Sequence, residues 1–233
     1  KQTFGRDFPI EMLISVDGLG VNRGDTFELA KLLELDLNTV DAIAVAGGPG
    51  SFTGLRIGAA TAKGLGLALK KPLIHVPTVD ALAYNMWGAS GLICPIMDAR
   101  RNQVYTGLYH FREEFEIVKE QQPADIKELV EELNGRGERV IFLGDGVPPY
   151  QAVIEELIKV PHRFAPAHVN RQRAASVAAL GSVYLAEGKT ETAMEHKPDY
   201  LRKSQAERER ELAERQGELD KLAAGIQVVE KQA

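Results

Sequence analysis

Short apolar runs bounded by glycine, proline or aspartate recur along the chain and are typical of buried β-strands. Between these runs, apolar residues recur at helical spacing. The predicted strands are residues 42–46, 72–76, 92–97 and 139–143, and the predicted helices are residues 53–69, 78–87 and 123–133. Strands that alternate with helices favour an α/β fold in which most strands are parallel.

One segment breaks this alternation and predicts a β-hairpin. Residues 103–109 alternate polar and apolar side chains, and residues 116–119 look extended again after a polar turn. This pattern is typical of a sheet with one face exposed, so we expect a second sheet to start here. We therefore expect a boundary near Asp98, with a first lobe over residues 1–97, a second lobe over residues 98–200 and a tail over residues 201–233.

Two more helices are predicted beyond the hairpin. Residues 171–185 predict an amphipathic helix. Its packed face would hold Ala174, Val177, Ala178, Gly181 and Leu185. In the tail, Ser204 and Glu207 form a capping box that opens a strongly charged helix. We favour a solvated surface helix over a binding role for this segment.

Composition and charge narrow the class of protein. Hydrophobic residues make up 44% and charged residues 26% of the 233 residues, which is ordinary for a soluble globular protein. No apolar run approaches the roughly 18–20 residues that span a bilayer, and the N-terminus carries no export signal pattern, so we expect a cytoplasmic protein without membrane contact. The net charge of −5 predicts that any role on RNA is carried out through a partner.

The cysteine and histidine content argues against a metal centre. Cys94 is the only cysteine, which excludes an internal disulfide and a cysteine-ligated metal cluster, and it is expected to be a small buried hydrophobe. The five histidines are scattered along the chain, so no metal site is predicted. They are His75, His110, His162, His168 and His196.

The most informative stretch is the glycine-rich loop at residues 47–54, which joins a predicted strand to a predicted helix. Such a loop can hold a phosphate on free N–H groups at the positive end of the helix dipole. The phosphate-loop candidates are Gly48, Gly50, Ser51 and Thr53. The sequence is neither a P-loop nor a dinucleotide fingerprint, and helix capping by Ser51 or Thr53 accounts for it equally well.

The helix after this loop carries a stripe of small residues at four-residue spacing. The stripe consists of Gly54, Gly58, Ala62 and Gly66. Glycine inside a helix costs about 1 kcal/mol relative to alanine, so the stripe indicates close approach of another backbone. That backbone belongs either to the domain's own sheet or to another subunit, and both readings stay open. Arg56 lies on a different face and excludes a membrane helix.

Two features of the second lobe are further candidates for nucleotide contact. Asp98 ends a predicted strand, where it could act on a phosphate or simply form a hairpin turn with the arginines that follow. Gly144 and Gly146 flank an aspartate after another strand, and ordinary turn chemistry explains that pattern equally well.

Several of these stretches together resemble the TsaB family of bacterial tRNA threonylcarbamoyladenosine biosynthesis proteins. The resemblance rests on AVAGGPGSFTGLRIGAATAKGLGLAL, PLIHVPTVDALAYN, PIMDARRNQVYTGLY, GDGVPPY, FAPAHVNRQRAASVAALG and KPDYLRKSQAE, in this order. It covers residues 32–207 or so, and the GPGSFTGLRIG stretch is highly specific. The resemblance implies two actin-like lobes of the ASKHA, ribonuclease H-like kind.

The resemblance also implies a function and a set of partners. Family members are non-catalytic scaffolds for TsaD, the paralogue that transfers a threonylcarbamoyl group to adenosine 37 of tRNAs reading ANN codons. The expected partners are TsaD, TsaE through the complex, a second copy of the chain in a homodimer, and tRNA only through the complex. No intrinsic cofactor is expected, although ATP or ADP could bind at a subunit interface. The small-residue stripe with Arg56 would then form the partner interface.

The beginning of the chain departs from the family pattern. Residues 11–17 could be the first strand, with Asp17 at its end as a further phosphate-loop candidate, and residues 28–37 look like the tail of the first helix. The hairpin strands between them are not recognisable, so the first lobe is expected to be shortened.

Two other classes of function are alternatives. An autonomous actin-like ATPase or small-molecule kinase would need a metal-positioning aspartate, for which only Asp17 and Asp98 are candidates. A glycoprotease-type peptidase would need a metal site or a nucleophile paired with a base, and the sequence indicates neither, nor the His-x-x-x-His pair of TsaD. The sequence therefore predicts no catalytic residue.

Overall fold

The computed structural model of the chain describes residues 36–201 and 215–216. By its internal contacts the chain divides into a unit over Lys1–Leu201 and another over Arg202–Ala233. Asp17, the strand expected at 11–17 and the capping box of Ser204 and Glu207 lie outside the described residues. Of the charged tail helix, only residues 215–216 are described, and they are helical.

The described part of the first unit contains seven strands and five α-helices. The strands are β1 (Ile43–Gly48), β2 (Leu73–Pro77), β3 (Leu92–Asp98), β4 (Gln103–Phe111), β5 (Phe115–Asp125), β6 (Val140–Leu143) and β7 (His162–Phe164). The helices are α1 (Phe52–Leu69), α2 (Thr78–Tyr84), α3 (Ile126–Arg136), α4 (Val147–Leu157) and α5 (Ala174–Ala186). Short 3-10 helices lie at Leu37–Thr39 and Ala167–Val169.

These strands form two sheets. In the described residues β1 and β2 pair in parallel, joined by α1 in a β-α-β unit. The second sheet has the order β5-β4-β3-β6-β7, with parallel pairs on the β6 and β7 side and antiparallel pairs on the β4 and β5 side. The predicted α/β class with mainly parallel strands outside one hairpin is therefore confirmed.

Helix α2 lies between the two sheets. Val79, Leu82 and Ala83 pack with the five-stranded sheet, whereas Ala81 packs with β1, β2 and α5. Helix α1 covers the opposite face of β1 and β2. Helices α3 and α4 cover the outer face of the five-stranded sheet. Both sheets are thus covered on both faces, which explains why most of their strands read as continuous apolar runs.

The sheet division differs from the boundary expected near Asp98. Strand β3, which ends at Asp98, is the central strand of the second sheet rather than the last strand of the first lobe. Periodicity along one strand does not encode its neighbours, and β3 pairs with β4 on one side and β6 on the other. The second sheet consequently starts before the hairpin.

Two burial patterns also differ from expectation. Strand β4 was expected to expose one face, but Val104 and Leu108 pack under α3 and α4 while Tyr109 packs under α2. In α5 the buried residues are Ser176, Val177, Leu180, Gly181 and Tyr184, so the packed face is rotated relative to the predicted one. An alanine-rich helix has weak amphipathic contrast, and its neighbours decide which side is buried.

Candidate functional site

The glycine-rich loop connects β1 to α1, and its serine caps the helix. Ser51 is the N-cap residue of α1, and its hydroxyl accepts the N–H of Gly54 at 3.4 Å. This contact satisfies one of the N–H groups that a phosphate would otherwise bind. The capping alternative is therefore confirmed for Ser51. Gly50 and Thr53 lie in the same turn, and both are exposed.

Close approach of other parts of the same chain explains the first two glycines. A Cβ atom on Gly47 would overlap the His75 ring, and one on Gly48 would overlap the backbone oxygen of Asp199. Gly48 also has a φ of +120°, which side chains rarely tolerate. In addition, the Asp199 N–H donates to the Gly47 oxygen at 2.7 Å. The chain itself therefore fills the part of the loop nearest β1.

The segment that fills the loop, residues 197–200, is held by side chains as well. The Asp199 carboxylate Oδ2 lies 3.1 Å from His75 Nε2, and the Tyr200 ring lies 4.8 Å from that of Phe52. The guanidinium of Arg56 stacks over Phe52, 4.1 Å from the ring centroid. Residues 197–200 thus bind the loop at both its backbone and its first helical turn.

The second-lobe candidates meet at the edge where the parallel strands β3 and β6 end. The Asp98 carboxylate Oδ1 accepts the N–H of Arg100 at 2.7 Å and the hydroxyl of Tyr150 at 3.0 Å. A Cβ on Gly144 would overlap the Ile96 oxygen, which also accepts the Gly146 N–H at 3.0 Å. These contacts match the ordinary turn chemistry that the sequence left open for all three residues.

A further carboxylate at this edge, Asp145, escaped the sequence reasoning. Its Oδ1 accepts the N–H of Asp98 at 3.2 Å, and burial raises the pKa of its carboxyl. Its position between Gly144 and Gly146, just after a predicted strand, is the feature of the sequence that could have marked it as a candidate site residue. Asp98 and Asp145 lie at the ends of adjacent parallel strands, which is the usual place for ligands in α/β sheets.

The turn that follows Asp98 has an uncommon backbone conformation, with three successive positive φ angles. Arg100, Arg101 and Asn102 have φ values of 61°, 58° and 59°, three successive left-handed residues that are not glycine. This conformation costs roughly 1–2 kcal/mol per residue for ordinary side chains. The hydrogen bond from Arg100 to Asp98 and that from the Ile126 N–H to the Asn102 oxygen hold the turn in place.

The small-residue stripe of α1 is buried inside the chain. Ala62 has no exposed surface and packs with Ile43, Val45 and Leu73 of the β1–β2 sheet. A Cβ on Gly66 would come within 3.0 Å of the Leu73 side chain. Gly54 and Gly58 are buried too. The reading that this stripe faces the domain's own sheet is therefore correct for Ala62 and Gly66, and their assignment to a partner interface is wrong.

A different face of α1 is exposed and largely apolar. Ile57 is 53% exposed and Leu67 is 59% exposed, and Ala60 and Gly64 are exposed between them. The spacing of these four residues places them along one side of the helix. We call this surface the α1 outer face. Arg56, the remaining predicted interface residue, is exposed beside it.

The cysteine behaves as expected from the sequence, whereas two of the histidines do not. Cys94 is fully buried in β3, which raises the pKa of its thiol to about 12. His75 and His196 come together, however, with ring centroids 5.6 Å apart. They are 121 positions apart in sequence, so no local spacing pattern could reveal this pair.

Comparisons with known proteins identify the family. The family described as "TsaD: tRNA N6-adenosine threonylcarbamoyltransferase" matches residues 26–210. The chain is 38% identical to the tRNA threonylcarbamoyladenosine biosynthesis protein TsaB of Bacillus subtilis over 168 residues, which are 71% of each protein. The chain belongs to the TsaB family. TsaB of Escherichia coli is 31% identical over 181 residues, covering 73% of this chain and 74% of that protein.

A solved structure supports the same family and fold. The structure titled "YeaZ from Pseudomonas aeruginosa" matches with a TM-score of 0.65 and 25% identity, covering 76% of this chain and 81% of that one. This similarity confirms the predicted α/β, actin-like fold class. Within the described residues, no helix of this TsaB-family chain combines the length and apolar character needed to cross a membrane.

Proposed function

We propose that this TsaB-family chain is a non-catalytic subunit for threonylcarbamoyl modification of adenosine 37 in tRNAs that read ANN codons. It would support TsaD, which transfers the threonylcarbamoyl group from its adenylate. The observation that carries the proposal is the filled glycine-rich loop. Asp199 packs against the turn at Gly47 and Gly48, and the Gly48 N–H donates to the Thr78 hydroxyl at 3.2 Å. That N–H is therefore not free to bind a phosphate.

The other nucleotide candidates also support a scaffold rather than an autonomous ATPase. The Asp98 carboxylate accepts hydrogen bonds from the Arg100 N–H and the Tyr150 hydroxyl, both within the second lobe. Cys94 is a buried thiol with a raised pKa and cannot serve as a nucleophile near neutral pH.

The α1 outer face is the surface that we assign to the partner. Exposed apolar residues in a row along a helix are typical of protein interaction sites. We propose that TsaD covers this face, and that a second copy of this chain covers it in the absence of TsaD. Arg56 would lie at the polar rim of either interface, where charge sets orientation more than affinity.

The remaining partners follow from the same complex. TsaE would join through TsaD. The tRNA would also bind through the complex, because the net charge of −5 gives this chain little attraction for RNA. ATP or ADP binding at a subunit interface stays a prediction. In the described residues, the edge at Asp98 and Asp145 is the place where such binding should be tested.

The experiment is complementation combined with co-purification. In a strain depleted of its own TsaB, the chain should restore threonylcarbamoyladenosine in tRNA and co-purify with TsaD of the same genome. Leu67→Glu should weaken the association tenfold or more, because a charge would be buried at the interface. Ile117→Glu is the matched control, because Ile117 is 42% exposed on β5, away from α1.

Three outcomes would contradict the proposal. Normal tRNA modification in the depleted strain without any copy of the chain would contradict the proposed function. Equal effects of Leu67→Glu and Ile117→Glu on association with TsaD would contradict the interface assignment. Sustained ATP turnover by the isolated chain would favour the kinase or ATPase alternative instead.

A further inference from the structure

Three side chains that the sequence scatters over 122 positions come together beside β2. His75, Glu191 and His196 each offer one ligand atom, and these atoms all lie within 4.8 Å of one another. His75 belongs to β2, and the backbone of Glu191 pairs with Leu73 of the same strand. The scaffold that brings these groups together is therefore a strand and the segment bonded along it.

His196 is the unusual member of this group. Its side chain is fully buried, and its Nδ1 lies 2.6 Å from Glu191 Oε1. Its Nε2 is buried as well and has no hydrogen-bond partner in the described part of the chain. An unsatisfied buried polar atom destabilises the folded state, so it needs a physical explanation. Two imidazole nitrogens and a carboxylate oxygen within 4.8 Å of one another offer a metal ion three ligand atoms.

We propose that His75, His196 and Glu191 bind one divalent transition-metal ion, with zinc as the natural occupant. Two imidazole nitrogens and a carboxylate oxygen suit zinc, whereas magnesium and calcium prefer oxygen ligands alone. Asp199 Oδ2, which lies 3.1 Å from His75 Nε2, is placed to orient the His75 ring. Ligand atoms about 2.0–2.1 Å from a tetrahedral zinc lie about 3.3 Å apart. Ion binding therefore needs the side chains to move, because the ligand atoms of the group are up to 4.8 Å apart.

Such an ion would fasten the segment that fills the glycine-rich loop. Glu191 and His196 lie eight and three residues before Asp199, whose N–H donates to the loop at the Gly47 oxygen. Binding would therefore hold residues 191–199 against β2 and keep the loop occupied. The His75 and Glu191 side chains are both partly exposed, so an ion can reach the site from solvent. The role of this ion is structural, and it adds to the scaffold function without depending on it.

The test uses the full-length chain, stripped of metal with a chelator and then titrated with Zn²⁺ and, separately, with Co²⁺. We expect one equivalent to bind, visible absorption bands of Co²⁺ coordinated by nitrogen and oxygen, and a rise in melting temperature with Zn²⁺. His75→Gln and Glu191→Gln should each weaken binding roughly 10–100-fold. His110→Gln is the matched control, because His110 pairs with Glu138 at 3.0 Å and lies outside the group.

Circular dichroism of each variant shows whether it is folded. The test substitutes the partly exposed His75 rather than the fully buried His196, because a substitution of His196 could unfold the chain. Absence of saturable binding to the folded wild-type chain would overturn the proposal. Binding that survives both His75→Gln and Glu191→Gln, or that is lost equally in His110→Gln, would overturn it as well.

Discussion

Asp80 is a carboxyl group buried between the two sheets. It accepts hydrogen bonds from the hydroxyls of Tyr109 at 2.6 Å and Tyr184 at 3.2 Å. Burial nevertheless raises its pKa above the reference value of 3.8, because desolvation of the carboxylate outweighs both hydrogen bonds. The folded state therefore holds this proton more tightly than the unfolded state, and the stability linked to it is lost as pH rises above that reference value.

This titration gives a prediction for Asp80→Asn. The variant lacks the ionisable group, so relative to the wild type it should gain stability as pH rises from 4 to 7. Denaturant unfolding at several pH values measures the difference. A difference between wild type and Asp80→Asn that stays constant with pH would contradict the prediction.

Gly48 gives a second prediction at the residue scale. Gly48→Ala should lower the free energy of unfolding by roughly 2–4 kcal/mol, from a strained φ of +120° and overlap with the Asp199 oxygen. Gly88→Ala separates these causes, because Gly88 has a φ of +73° but nothing within 4 Å of a new Cβ. That control should lose only about 1 kcal/mol. Equal losses in denaturant unfolding would mean that the overlap with Asp199 is unimportant.

Single residues were predictable where the deciding contact is local. Ser51 capping follows from its position before a helix, and the burial of Cys94 follows from its apolar strand. The pairing of His75 with His196 depends instead on two segments that meet only in the folded chain. The absence of a His-x-x-x-His spacing therefore could not exclude a metal site built from distant residues.

At the scale of elements, helix α1 has one buried face and one exposed face. Ala62→Leu should lower the melting temperature, since overpacking a fully buried site typically costs about 1–3 kcal/mol. Association with TsaD per folded molecule should not change. A thermal melt beside ultracentrifugation with TsaD tests both statements, and loss of association with an unchanged melting temperature would restore the stripe as an interface.

Gly64 lies on the opposite side of this helix and gives the complementary prediction. A Cβ there meets nothing within 4 Å, so Gly64→Ala should stabilise the isolated chain by about 0.5–1 kcal/mol. Gly135→Ala in α3 is equally unobstructed and should stabilise it similarly. Only Gly64→Ala should also change affinity for TsaD, measured by titration. Identical affinities for both variants would count against the α1 outer face.

The sequence predicted elements better than their faces. Within residues 36–201, each of the four apolar runs is a strand and each of the four helical patterns that begin there is a helix. Most of their ends are shifted by one to three residues. Strand β5 is longer than predicted because its residues pair along the full length of β4, including the polar part at residues 120–125. Backbone pairing with a neighbour, rather than apolar content, determines where that strand ends.

At the scale of the molecule, polar contacts tie the two sheets together. Gln121 of β5 donates to the Gly48 oxygen at 3.0 Å and accepts the Val79 N–H at 3.4 Å, and Asp80 joins β4 to α5. We therefore expect residues 43–48 and 92–98 to exchange their amide hydrogens with the same free energy of opening. Hydrogen exchange by mass spectrometry measures it, and exchange from β1 through a separate, lower-energy opening would contradict a single cooperative unit.

The topology is the part that sequence reasoning could not reach. The alternation of strands and helices predicts an α/β fold, but it does not say which strands are neighbours. Strand β3 is the last strand before the boundary that we expected near Asp98. It nevertheless forms the centre of the second sheet, because its partners β4 and β6 both come later in the chain.

The filled turn at Gly47 and Gly48 has a consequence for how such sequences are sorted. A nucleotide and a segment of the same chain impose the same steric demand on a turn, so both select glycine at the same places. A sequence search based on those glycines would therefore group nucleotide-binding proteins with proteins whose own chain fills the turn. The distinguishing mark lies about 150 residues downstream, in the aspartate and tyrosine at 199–200 that occupy the turn. Paralogues in which the chain fills its own turn could be recognised by that occupant rather than by the loop.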